Sequence, residues 1–272
     1  MKNKRILITG GAGSIGSELA RQLSVDNEVC ILDNNETGVA DLVEELNIAG
    51  RVGDIRDRYA VEELFEQSKP EVVFHAAAYK HVGTMQAAPI EAIKTNIIGL
   101  YNVVDTAFKF GVSKFVLISS DKAANPDSIM GASKRFGEIL VKTVGKGFMS
   151  VRFGNVLGSR GSVIPVWERQ IARGGPLTVT DEKMERFFMT IEEACSLVIE
   201  AGTIGEGGEI FILDMGQPVN ILQLAKDILH KSGKELEIKI IGAREGEKMT
   251  EVIMTPEEEK IAIKQGKLYI IK

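Results

Sequence analysis

At 272 residues with a formal net charge of −5, the chain is long enough for a full hydrophobic core and lacks the basic footprint that nucleic acid or an anionic membrane surface demands. Its two cysteines, Cys30 and Cys195, are too few for a disulfide framework or a zinc cage, and Cys30 sits in a strand-like run as a reduced core thiol of a cytoplasmic protein would. No apolar run approaches the roughly 18–20 residues of a membrane helix, and the chain is strand-like from Arg5 with no signal-peptide h-region, so a soluble chain is expected.

Arg5 to Thr9 reads as a short buried strand, followed at once by Gly10-Gly11-Ala12-Gly13-Ser14-Ile15-Gly16 and a helical pattern through Leu19, Ala20 and Leu23. The spacing of Gly10, Gly13 and Gly16 allows a tight turn, close approach of backbone to a pyrophosphate, and packing of helix on strand, with the phosphates at the helix N-terminus near Ser14 and Ile15. Glycines alone would serve a sharp turn equally well; the flanks decide. A second strand, Glu28 to Leu32, ends in Asp33, seventeen residues past Gly16, where a carboxylate accepts the adenosine ribose hydroxyls and repels a 2′-phosphate. This favours NAD over NADP, and Asn34-Asn35-Glu36 supplies no arginine to argue otherwise.

A third strand at Arg51-Val52 leads to Gly53-Asp54-Ile55, where Asp54 is either a turn residue or a partner for the adenine amino group. Val72 to His75 forms a fourth strand, and Ala76, Ala77 and Ala78 after it are small enough for a cofactor to lie against the backbone. With helices expected near 37–47, 58–68 and 89–110, strand and helix alternate through residue 153, which predicts a parallel sheet covered on both faces. Phe115 to Ile118 is another strand of the buried type, so Ser119, Ser120, Asp121 and Lys122 fall at its C-terminal end, where open α/β sheets bind ligands. Asn125-Pro126-Asp127 then breaks the chain, and a helix starting around 128–131 puts Met130 and Lys134 on one face.

Past Val151 glycine-rich connections dominate, with helices expected at 163–173, 191–201 and 221–231 and strands near 187–189 and 209–213. The charged run Glu257 to Lys260 reads as a solvated helix start. The expected fold is α/β: a Rossmann-type doubly wound parallel sheet formed by 1–154 plus about 190–213, carrying a smaller C-terminal substrate-binding lobe at about 155–189 plus 214–272. His75, His81 and His230 show no metal-ligand spacing, and no metal is assigned.

Several segments together resemble one family: T-G-G-A-G-S-I-G at 9–16, H-A-A-A-Y-K-H-V at 75–82, S-S-D-K at 119–122, M-G-A-S-K at 130–134, R-F-G-N-V-L-G-S-R-G-S-V at 152–163, R-F-F-M-T at 186–190 and G-A-R-E-G-E-K at 242–248. They are similar to the nucleotide-sugar 4,6-dehydratases of the extended short-chain dehydrogenase/reductase superfamily, in the polysaccharide-biosynthesis (CapD-like) branch that acts on UDP-N-acetylglucosamine. Nearly the whole chain is covered. Two departures matter. Met130 stands where the superfamily's active-site tyrosine is expected, and a thioether cannot relay the alcohol proton. Many relatives also carry an N-terminal membrane region, whereas this sequence starts at its first strand, as a catalytic domain alone or a soluble form would.

The resemblance implies tightly bound NAD and a reaction in which C4 of a UDP-sugar is oxidised, water leaves across C5 and C6, and the hydride returns to C6. It implies that Lys122 is the C5 base, Asp121 the acid, and Ser120 a partner for the C4 hydroxyl, with Met130 filling the position of the phenol. A lysine base requires a lowered pKa and an aspartic acid donor a raised one. Lys134 is expected on the nicotinamide ribose, with Lys80 and Asn96 also facing the cofactor. Lys80, Arg186, Arg244 and Lys248 are the implied UDP contacts, with Asn155 near the first phosphate and Val163 to Pro165 near the base. A homo-oligomer through the helices near 89–110 and 131–144 is likewise implied. Two other readings stay open: a nucleotide-sugar 4-epimerase, which needs neither member of the Asp121–Lys122 pair, and a non-catalytic NAD-binding scaffold or sensor.

Overall fold

A computed structural model describes residues 1–243 and 246–272. Seven strands run parallel: β1 (Arg5–Thr9), β2 (Glu28–Asp33), β3 (Ala49–Val52), β4 (Val72–His75), β5 (Lys114–Ile118), β6 (Phe148–Arg152) and β7 (Ile210–Leu213). Their spatial order is β3-β2-β1-β4-β5-β6-β7, so the order reverses between β1 and β4 and opens a crevice at their C-terminal ends. An antiparallel hairpin, β8 (Ile263–Gln265) and β9 (Leu268–Ile271), completes the nine-stranded sheet at the β7 edge.

Alternation along each strand explains the layering, because successive side chains point to opposite faces. Ile6 and Ile8, Phe74, and Val116 face one core together with α1 (Ser14–Leu23), α2 (Glu36–Leu46) and, farther along the chain, the helix Ile191–Ile204. Leu7, Val73, Phe115 and Leu117 face a second core under α3 (Arg58–Ser68), α4 (Leu100–Lys109) and α5 (Ile129–Val144). The helix expected at 89–110 is three pieces: Pro89–Ala92, a π-helical segment Ile93–Gly99, and α4. Residues 155–189 and 214–243 contribute short strand pairs and two helices, Val163–Ala172 and Ile221–Lys231, around a separate core of Trp167, Leu177, Val179, Met184 and Ile221. Among the described residues no helix is long and apolar enough to cross a membrane.

Two expectations are corrected here. Residues 263–271, placed by sequence with the lobe, pair instead with the main sheet, because Leu268 to Ile271 supplies an apolar strand that covers the otherwise open edge of β7. The run Glu257 to Lys260 does start a helix, Pro256–Ile261, closed by a Thr255–Glu258 capping box, but Glu258 is buried rather than solvated. Its carboxylate meets Arg152, whose fully buried guanidinium is enclosed by Glu138 of α5 (Nη2–Oε2 2.8 Å) and Glu258 (Nη1–Oε2 2.8 Å) and also donates to the Ile253 carbonyl at 2.9 Å. Glu138 in turn accepts from the Ser119 hydroxyl at 2.6 Å.

Removing one partner of such a cluster strands a desolvated charge. Glu258→Ala is expected to lower unfolding free energy by roughly 3–5 kcal/mol in urea titrations. Burial raises the pKa of Glu258, but its bonds to Arg152 and Thr255 outweigh this and hold it below the ordinary 4.5. Its contribution is therefore present above pH 4.5 and is lost as pH falls through the lower folded-state value, a loss the Ala variant will not show.

Candidate active site

The glycine turn builds the nucleotide end. Gly10 has φ +72°, and a Cβ there would lie 2.5 Å from the Ala77 nitrogen; a Cβ on Gly16 would lie 2.0 Å from the Gly10 carbonyl oxygen. Both therefore need glycine for close packing, whereas Gly13 faces the groove and caps α1 with no side chain over the free amides. Asp33 at the end of β2 is fixed by two backbone donors, Ala12 N–H at 3.0 Å and Asn35 N–H at 2.9 Å. Gly10, Gly13, Asp33, Asp54, Ile55, Ala76, Ala77 and Ala78 line one pocket together with Tyr79 and Thr95. The buried Thr95 hydroxyl has no protein partner, an acceptor and donor left for a ligand in that pocket. Burial disfavours the Asp54 carboxylate, but bonds from Arg56 prevail and hold its pKa below the ordinary value.

Other expected cofactor residues are bonded within the protein. Ser14 accepts from the Arg160 backbone N–H at 3.0 Å, and Arg160 also donates to the Ala12 carbonyl at 3.1 Å, so the loop around 157–162 rests on the glycine turn. Asn96 sits in the π-helical segment, where its amide brackets the Tyr79 backbone at 2.8 and 2.9 Å and reaches the Ser133 hydroxyl at 2.9 Å. Its groups are thus spent on shaping the pocket wall. Lys80 reaches the Ser159 hydroxyl at 3.4 Å. His75 bonds Thr9 across β4 and β1 at 2.8 Å, and burial, assisted by Lys134, pushes its pKa down to about 3, leaving it a neutral core residue. No metal-ligating group of side chains occurs among the described residues.

The chemical end lies where β5 gives out. Ser120 caps the single 3₁₀ turn Asp121–Ala123, and Ser128 caps α5 by accepting from Gly131 N–H at 3.1 Å. A Cβ on Gly131 would lie 2.6 Å from the Lys122 carbonyl oxygen, so glycine lets α5 dock directly on the Asp121–Lys122 turn. Lys134, one turn along, donates to the Ile118 carbonyl at 2.8 Å; burial brings its pKa down to about 8 against the opposing pull of Glu138. Asp121 is buried and accepts from the Ser120 hydroxyl at 2.8 Å, while Lys122 Nζ lies 3.0 and 3.3 Å from its two oxygens. Met130 is 2% exposed and packs with Met85, Ala92, Val82 and Ile129. Tyr79 borders the nucleotide pocket, and Tyr101 is exposed on α4.

One electrostatic expectation fails in this state. Burial alone would lower the Lys122 pKa, but Asp121 and Glu251 together raise it above the ordinary lysine value, so the amine is charged. Sequence had not singled out Glu251, which approaches Lys122 at 3.4 Å from a remote segment. The proposed UDP cations are also differently engaged. Arg186 is buried and donates to the carbonyls of Glu185, Lys248 and Met249 at 2.7, 2.8 and 3.1 Å, and Lys248 pairs with Asp127 at 3.2 Å and bonds the Asn125 carbonyl. Both therefore strap residues 248–249 over the site. Asn155 lies in a two-residue strand, Val163 and Pro165 lie in the first turn of the helix Val163–Ala172, and Arg244 is outside the described residues.

Known proteins match most of this chain in sequence and in fold. It is 48% identical to a probable polysaccharide biosynthesis protein EpsC from Bacillus subtilis, over 95% of this chain and 46% of that protein, so the chain spans about half the length of that relative. It is 34% identical to a UDP-N-acetylglucosamine 4,6-dehydratase (inverting) from Campylobacter jejuni, over 98% of this chain and 82% of that one. Among solved structures, Pen from Bacillus thuringiensis superposes with a TM-score of 0.93 at 38% identity, over 99% and 88% of the two chains. A UDP-glucose 4-epimerase from Thermus thermophilus in complex with NAD gives 0.82 at 26% identity, over 93% and 90%. The family model described as polysaccharide biosynthesis protein matches residues 6–272, and the chain belongs to that family of nucleotide-sugar-modifying short-chain dehydrogenase/reductases.

Proposed function

We propose that the protein is an NAD-dependent UDP-sugar 4,6-dehydratase acting on UDP-N-acetylglucosamine. The observation that carries the reading is the hydrogen-bonded Ser120–Asp121–Lys122 chain, with Asp121 buried at its centre, at the C-terminal end of β5, which supplies an acid and a base together, as dehydration requires. The Campylobacter relative, a dehydratase by name, supports it, as does the NAD-bound Thermus structure for the cofactor. The residues present fit that cofactor: Gly10 and Gly16 leave no room for a Cβ, Asp33 is aimed for ribose hydroxyls, and Thr95 offers an unused hydroxyl. When bound, NAD supplies a reversible hydride acceptor next to C4 of the sugar.

The chain's own residues handle the protons. Ser120 accepts the C4 hydroxyl proton in place of the phenol that Met130 displaces, and passes it to Asp121. Asp121 delivers a proton to the departing C6 hydroxyl, and Lys122 takes the C5 proton. Beside Asp121 and Glu251, Lys122 is charged, so its base role requires that a neighbouring carboxylate first take the ammonium proton. The epimerase reading is supported by the 36% identity to a UDP-glucose 4-epimerase of Rickettsia canadensis and by the likeness to the Thermus epimerase structure, but epimerisation leaves Asp121 and Lys122 without a task.

Helices α4 and α5 present an exposed apolar surface that includes Tyr101 and Phe108 on α4 and Phe136 and Ile139 on α5. We assign it to pairing between copies of the chain.

Three outcomes are expected. Proton NMR of the protein with NAD and UDP-N-acetylglucosamine in deuterium oxide will show a new C6 methyl signal and deuterium at C5; Asp121→Asn and Lys122→Ala will each slow its appearance by about 10²–10⁴-fold. Inversion at C4 without a methyl signal would establish epimerisation instead. Asp33→Asn will weaken NAD binding roughly 10–100-fold by calorimetry and narrow the preference over NADP. Analytical ultracentrifugation will show a dimer or larger species, and the double variant Phe136→Glu, Ile139→Glu will sediment as a monomer.

A further inference from the structure

Lys122 has two carboxylates, not one. Besides Asp121 at 3.0 Å, Glu251 Oε1 lies 3.4 Å from its ammonium, and the Glu251 side chain is only 5% exposed. A buried acid costs several kcal/mol unless paired, so its presence beside a reactive lysine calls for a reason. The backbone around it is held with unusual firmness. Arg186 donates to the carbonyls of Lys248 and Met249, the Glu185 N–H donates to Met249 at 3.0 Å, Thr250 bridges to Glu185, and Arg152 donates to the Ile253 carbonyl. Two buried arginines thus grip the chain within three residues on one side of Glu251 and two on the other. Arg186 pairs with Glu247 at 3.5 Å and Arg152 with Glu138 and Glu258, and both hold the backbone on either side of Glu251.

We propose that Glu251 is a third member of the acid–base site, a positioning residue that aims the Lys122 amine and governs when it is charged. This rests on the reading of Lys122 as the base. The charges facing Lys122 are Asp121 from its own turn, Glu251 from the strap, and Arg186, which opposes them. Asp121 is committed to Ser120 and to the leaving hydroxyl, so Glu251 is the carboxylate available to accept the ammonium proton and return it. With Glu251 in place the resting lysine is protonated and cannot attack adventitious electrophiles; transfer of one proton across the pair frees the amine for C5.

The test is trace acetylation of the intact chain with acetic anhydride across a pH series, with each lysine quantified by peptide mass spectrometry and exposed Lys2 and Lys109 as internal references. Only neutral amines react. In Glu251→Gln the Lys122 labelling curve is expected to move about one pH unit lower, giving roughly tenfold more label at pH 8, while Lys2 and Lys109 are unchanged. A Lys122 curve that coincides with wild type overturns the proposal. If thermal melting shows that the glutamine variant does not fold, Glu251→Asp decides: it keeps the charge but withdraws it by one methylene, so a smaller downward shift supports the proposal and no shift overturns it. Failure of the dehydratase reading is seen separately, as absence of sugar turnover in wild type, and leaves the labelling comparison valid.

Discussion

A guanidinium with no access to water sits at the end of β6, and much of the site is referenced to it. Arg152 must be neutralised where it lies, and its two carboxylates come from Glu138 on α5 and Glu258 just past the strap. Glu138 is one helical turn from Lys134 and shares its Oε1 with Ser119, the first residue after β5. A buried ion cluster is weak evidence of net stability, since well-packed apolar residues often do as well. Its value here is geometric. One planar donor group sets the distance between the sheet end, the helix bearing Lys134, and the segment bearing Glu251, three elements that have no covalent reason to meet.

The two active-site lysines show how partner number, rather than burial, sets charge in this crevice. Both are withdrawn from water, which disfavours the ammonium in each. Lys134 has a carbonyl in contact and only the more distant pull of Glu138, and its pKa falls to about 8. Lys122 has two carboxylates within ion-pair distance, and its pKa rises instead. A Lys134 with a pKa of about 8 and a firmly charged Lys122 therefore stand within the same crevice. What separates them is that α5 offers its lysine a backbone oxygen, while the turn and the strap offer theirs two acids.

The parts of this arrangement written in local rules were legible in the sequence. Gly10, Gly16 and Asp33 are dictated by backbone approach within one strand-turn-helix unit, and the same holds for the small residues after β4 and for the helix start at 128–131. Glu251 and Glu258 were not legible, because their partners lie more than a hundred residues away and nothing in the sequence beside either glutamate tells a buried acid from a solvated one. Arg186 and Lys248 were marked as UDP contacts by motif, and each is bound to the chain itself, a feature that depends on which carbonyls the chain presents. The hairpin at 263–271 was misplaced for a related reason: β8 is polar and exposed, and only pairing reveals that β9 belongs to the main sheet.

The loss of the phenol is compatible with dehydration if the protons are followed one at a time. Met130 lies in an apolar cluster and can neither give nor take one. The Ser120 hydroxyl already donates to Asp121 at 2.8 Å, so a proton accepted from the C4 hydroxyl has a direct path onto that carboxylate. Asp121 then holds the proton that the C6 hydroxyl needs to leave as water. In the proposed reaction the C5 proton goes to Lys122, whose ammonium exchanges with solvent before a proton is returned to C5, while Glu251 holds the ammonium's original proton in the interval. The hydride leaves C4 and comes back at C6, so it does not enter the count. Every proton taken from the sugar is either carried off in the water or replaced, and the protein ends as it began. A tyrosine at position 130 would add a second route for the C4 proton, one that bypasses Asp121 and leaves it without the proton it must deliver.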